Sequence, residues 1–126
     1  MSGSYRDLKA WQKAIELMAE IYSCTRTFPK DEQFVLTSQL RRAAVPVPSN
    51  IAEGKGRFSD KEFSLFLHHA RGSLFEVETQ LTIAHRLGYF AEPDASKLVG
   101  QAGELARMLN GLIHSLQPDK VVRGAR

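Results

Sequence analysis

The chain has 126 residues, 43% of them hydrophobic and 25% charged, with a formal net charge of +3 and one cysteine. That length fits one domain and is enough to bury a core without a metal or disulfide staple. No apolar run approaches the roughly 20 residues of a membrane helix, and Met1 to Arg6 contains no apolar signal segment, so a soluble cytoplasmic protein is expected. The lone Cys24 has no intrachain partner and fits a reducing compartment.

Apolar residues recur every three or four positions, the helical period, and no strand pattern competes. The first helix is expected over 5–27, with Leu8, Trp11, Ile15, Met18 and Tyr22 as its stripe, closed by Phe28-Pro29. Ala10, Leu17, Ile21 and Cys24 form a shoulder beside that stripe. The second helix is expected over 30–53, opening on Pro29 and the acids Asp31 and Glu32, as a helix N-terminus favours. Its stripe runs Leu36, Leu40, Ala43, Ala44, Val47 and Ile51, and Gly54 and Gly56 are read as its exit. Pro46 and Pro48 fall inside it, and each removes a backbone donor and crowds the preceding turn.

The third helix, 60–87, starts at a capping box of Ser59 with Glu62 and ends at Gly88. Phe63, Phe66, Leu67, Ala70, Leu74, Val77, Leu81 and Ala84 make its stripe, while Leu65 and Ile83 lie opposite. The fourth, 93–117, follows Leu98, Ala102, Leu105, Leu109, Leu112 and Leu116. The tail, 118–126, has no period and is expected to be mobile. Four amphipathic helices with short connections predict an all-α, antiparallel up-down-up-down four-helix bundle. The extra apolar faces, with Gly100, Gly103 and Gly111 sharing a side of the last helix, point to a homo-oligomer in which another backbone approaches closely.

No enzyme constellation emerges. A di-iron bundle needs Glu-x-x-His pairs, and the residues three before His68, His69, His85 and His114 are Leu65, Phe66, Thr82 and Gly111. Zinc spacing is missing, Cys24 reads as a packed thiol, and Gly54-Lys55-Gly56-Arg57 lacks the order of a phosphate loop. The expectation is a non-enzymatic protein with no cofactor and no metal. Charge is the remaining signal. Residues 39–73 hold six basic and three acidic side chains. Arg41, Arg42, Lys55, Arg57, Lys61 and Arg71 make the basic set, and Arg41 and Arg42 are expected to project away from the core. Phosphate contact needs Lys and Arg but no defined spacing, and the set is read as favouring recognition of structured RNA or DNA by shape and charge over base stacking. The bland alternative is a solvated face, locally paired to Glu53, Asp60 and Glu62.

The run from Gln39 to Gly54, with Arg57, Ala70-Arg71-Gly72-Ser73, Glu76 and Leu87-Gly88-Tyr89, resembles a bacterial family of four-helix-bundle proteins. Its members are encoded within intervening sequences of large-subunit ribosomal RNA genes, and accessory proteins of diversity-generating retroelements are similar. Val35, where glycine is common, and Pro46, where serine is more usual, depart from the pattern. The resemblance implies a kinked but continuous second helix, a ring of five subunits, no enzyme activity, no cofactor and an association with nucleic acid. It carries nucleic-acid contact onto Arg41, Arg42, Arg57 and Arg71, and the basic turn adds Lys55. The rival reading makes these arginines structural, pairing with Glu53 and Glu76 across the bundle or a subunit interface, and the alternative function is a protein-interaction scaffold with no nucleic-acid role.

Overall fold

The computed structural model describes residues 3–117, so the tail 118–126 expected to be mobile lies outside the described residues. Within them the chain is all helical: α1 (Lys9–Thr25), α2 (Leu36–Ala44), α3 (Pro46–Lys55), α4 (Asp60–Arg86) and α5 (Glu92–Ser115). Because α2 and α3 abut, the five helices make four arms of a bundle. Helix α4, about 40 Å long at its helical rise, packs on α2, α3 and α5, and α1 closes the other side against α2, α3 and α5.

The first helix begins later than its period suggests. Leu8 is extended (φ −75°, ψ 127°), so Tyr5–Asp7 forms a separate 3-10 turn capped by the Ser4 hydroxyl. Its inward face also differs from the expected stripe. Ala10, Ala14, Leu17, Ile21 and Thr25 are buried, whereas Trp11, Met18 and Tyr22 are only partly covered. Small alanines let α1 approach its neighbours closely, and the larger side chains then seal the rim. Ala10, Leu17 and Ile21 of the shoulder are therefore core and not available as a subunit surface, while Cys24 is partly covered.

The second arm is divided. Lys30–Glu32 forms a 3-10 turn, and α2 starts only at Leu36. At the prolines the path stays helical, since Val45 has φ −61° and ψ −41°. The ladder nevertheless lapses, because Pro46 and Pro48 offer no N–H to the carbonyls of Arg42 and Ala44. Two side chains reinforce the start of α3: Ser49 Oγ donates to the Val45 carbonyl (3.0 Å) and Asn50 Nδ2 to that of Pro46 (2.9 Å). The outcome is two abutting helices instead of one continuous helix.

Gly54 is not an exit. It is buried within α3, and a Cβ there would lie 2.7 Å from Phe66 Cβ and 3.0 Å from the Phe63 ring. The missing side chain lets α3 lie directly on α4.

Helix α4 starts as the capping box requires, with Glu62 N–H donating to Ser59 Oγ (3.1 Å). It ends in a Schellman arrangement at Gly88 (φ 77°), where Tyr89 N–H reaches the Ala84 carbonyl (3.0 Å) and Gly88 N–H that of His85 (3.0 Å). Tyr89 then packs on Phe28 (ring centroids 5.4 Å apart) and donates its hydroxyl to Glu32 (2.6 Å). This interaction ties the α1–α2 connection to the α4–α5 turn. Leu40, Ile51, Leu67, Leu74, Leu81 and Leu109, all 0% exposed, fill the centre from four helices.

Glycines 72, 100 and 111 have no atom of the described residues within 4 Å of a would-be Cβ, so no described backbone of the chain itself approaches them.

Candidate nucleic-acid interface

The six basic residues fall in three places. Arg41 and Arg42 lie on α2, Lys55, Arg57 and Lys61 surround the α3–α4 turn, and Arg71 lies mid-way along α4. Arg41 and Arg57 are separated by roughly 24 Å of helical path. They do not form one patch.

Arg41 departs from expectation. Its Nε donates to Thr25 Oγ1 (2.8 Å), its Nη2 donates to the Tyr22 carbonyl (3.2 Å), and its guanidinium lies 4.6 Å from the Tyr22 ring centroid. It thus bonds the last turn of α1 and is built into the structure. Arg42, one position round the helix, is exposed. Arg41→Ala should therefore lower unfolding stability by about 1–3 kcal/mol, from the loss of charge-assisted hydrogen bonds, and Arg42→Ala by less than about 0.5 kcal/mol. Chemical denaturation of the two variants checks the contrast.

Arg57 donates to Glu53 (2.7 Å) and lies over Phe66 at 4.7 Å. This pair joins residues four apart on one helical path, the spacing at which side chains meet. Arg71 does not pair with Glu76, which is five positions on and turned away from it. Arg71 donates to Asn110 Oδ1 on α5 (2.8 Å) and approaches Phe75 at 6.0 Å. Lys55 lies 5.9 Å from the Phe63 ring. Aromatic rings thus do accompany these cations. They come from the next turn of the same helix, as Phe75 does for Arg71, or from a neighbouring helix, as Tyr22, Phe63 and Phe66 do.

Among the described residues, Arg57 is the only one of the six with a carboxylate within 4.0 Å; Arg41, Arg42, Lys55, Lys61 and Arg71 have none. Arg41 and Arg42 also line a concavity of about 590 Å³, with Tyr22, Phe34, Val45, Pro46 and the polar Gln33, Thr37 and Ser38. Phe34 in that groove is 85% exposed. Neither charge nor helical period singles out Phe34, although a Phe34-Val35 pair just ahead of the α2 stripe is a usable signal.

The other titratable groups lie elsewhere. All four histidines are exposed on helix surfaces. Burial, followed by the Asp94 charge, pushes the Cys24 thiol up to about 11, so it stays protonated at neutral pH. Among the described residues no group of three or more His, Cys, Asp or Glu is arranged to hold a metal ion, and no helix is long and apolar enough to cross a membrane.

Helical arms around one core define a helical bundle, with dispersed surface cations and an open groove on its outside. The chain belongs to the 23S rRNA-intervening sequence protein family, whose model matches residues 6–111. It is also similar to the crystal structure of a protein of unknown function from the S23 ribosomal protein family of Bacteroides thetaiotaomicron. That match has a TM-score of 0.75 at 21% identity and covers 82% of this chain and 97% of the other. At such identity the likeness shows the fold. The comparison with curated proteins returned no match.

Proposed function

We propose that this protein works by binding and not by catalysis, as an assembly of identical cytoplasmic subunits that holds structured RNA or DNA through phosphate contacts. The observation that carries the reading is the set of uncompensated cations: among the described residues, five of the six basic side chains between positions 39 and 73 lack a carboxylate neighbour. Phosphate contact needs Lys and Arg at the surface and no fixed spacing. Membership of a family named for ribosomal RNA intervening sequences points the same way.

Self-association is supported by α4. Leu65, Phe75 and Ile83 on this helix, with Leu87 at its end, are 43–54% exposed on the side away from its buried stripe. A lone bundle needs one apolar face per helix, so a second face on the longest helix favours a neighbouring subunit. The short connections favour antiparallel packing, and the family resemblance favours five copies. The same α4 face is what a protein-interaction scaffold would use, which is the second reading.

Light scattering is expected to give a multiple of the 14.1 kDa chain, with five the favoured number. Duplex binding followed across salt should weaken with a slope of roughly −0.9 in log K per phosphate neutralised. A monomer that ignores nucleic acid at low salt would remove the proposal, and an oligomer that ignores it would leave the scaffold.

A further inference from the structure

We infer that the groove between α1 and α2 takes an unpaired nucleotide, its base against Phe34 and its phosphate against Arg41 and Arg42. This rests on the nucleic-acid reading above and sharpens it from duplex-tolerant charge contact to a site for single strands. The groove joins the parts such a ligand requires. A flat apolar surface is supplied by Phe34, which is 85% exposed on the connection leading into α2. An aromatic ring left so open to water gains most from a flat π-faced partner, and every base has such a face.

Positive charge lies beside it. Arg41 commits Nε and Nη2 to Thr25 and Tyr22, which fixes the guanidinium while leaving Nη1 without a bonded partner among the described residues. Arg42 is exposed and, among the described residues, has no carboxylate within 4.0 Å. One preorganised and one adaptable cation suit a phosphate whose position is not fixed in advance.

Polar groups complete the lining. Ser38 and Gln33 border the groove, and the carbonyl of Arg42 is spared its helical partner because Pro46 has no N–H. Free acceptors and hydroxyls are what the donor-rich edge of an unpaired base seeks, and an aliphatic protein knob would leave them unpaired. At about 590 Å³ the groove lies within the roughly 300–1,000 Å³ range of small-ligand sites. A base inside a duplex is stacked on both faces and presents no free face to Phe34, so only the end pairs of a duplex could reach the ring.

The test is fluorescence anisotropy at one low salt concentration with a short labelled RNA strand, the matching DNA strand and the duplex. Wild type is compared with Phe34→Ala and Phe34→Trp. Phe34→Ala should lose about tenfold or more in affinity for single strands, the usual cost of removing one stacking ring. Duplex binding should be unchanged, and Phe34→Trp should retain single-strand binding. The two single strands separate a ribose requirement from sugar-independent stacking, and loss on either supports the site. Unchanged single-strand binding by Phe34→Ala, beside intact duplex binding, overturns this inference and leaves the broader reading standing. If Phe34→Ala instead alters the oligomer mass while single strands still bind, the groove is a protein contact and the inference falls. Wild type that binds none of the three probes removes both readings.

Discussion

Replacing Gly54 with valine is expected to destabilise the protein by about 3 kcal/mol, the upper part of the range for overpacking a filled core. A Cβ at this position meets Phe66 Cβ at 2.7 Å, the Phe63 ring at 3.0 Å and the Phe63 carbonyl at 3.3 Å. The Phe63 ring can rotate. The carbonyl belongs to the α4 ladder, and the Phe66 Cβ is fixed to its backbone, so relief requires α3 and α4 to separate. Alanine removes the glycine penalty of about 1 kcal/mol in a helix yet still meets the same three atoms, so it too should lose stability. Gly100→Ala is the comparison, because its site is open within the chain: helix propensity gives a gain of up to about 1 kcal/mol there, and a loss instead would mark the approach of a second subunit. Urea titration should show a lowered midpoint for Gly54→Val with an unchanged slope. Against a typical total stability of about 5–15 kcal/mol, that loss is large enough to reduce the folded yield.

Gly54 also illustrates which parts of the fold can be read from residues alone. The number of bundle arms, the start of α4 at Ser59 and its end at Gly88 follow from period and cap chemistry, which act within a few residues, whereas the division of the second arm at Val45 does not. The glycine's contact with α4 is tertiary. Along the chain Gly54 followed by Gly56 looks like a turn, and only the meeting of two helices reveals close packing. Helix α1 carries the same lesson. Two apolar stripes overlap on it, and the heavier one, with Trp11 and Met18, attracts attention. The lighter one faces inward, because Ala10 and Ala14 permit the closer approach.

The cations divide in the same way. Local spacing makes the Arg57–Glu53 pair legible, since the two lie four apart. Arg71 meeting Asn110 on α5, and Arg41 meeting Tyr22 and Thr25 on α1, depend on how helices face each other. Of the residues proposed from sequence to contact nucleic acid, Arg41 thus has a structural duty as well, and removing it confounds binding with stability. Arg42, Lys55 and Lys61 are the better probes. None of them has a carboxylate partner among the described residues, and their removal leaves the buried core intact.

Reversing those three charges gives the largest functional effect expected. The variant Arg42→Glu, Lys55→Glu and Lys61→Glu should lose about two orders of magnitude or more in duplex affinity at low salt, because attraction to phosphate becomes repulsion. The dependence of log K on log salt should flatten by about one unit for each phosphate that is no longer neutralised. Circular dichroism and light scattering run beside the titration confirm that fold and assembly mass are retained, which separates an electrostatic effect from unfolding. The decisive measurement is therefore the salt dependence of duplex binding by this variant against wild type, at equal fold and equal mass. Binding through phosphates predicts a weaker and flatter curve for the variant. Superimposable curves would contradict it and assign the basic surface of α2 and the α3–α4 turn to solvation alone.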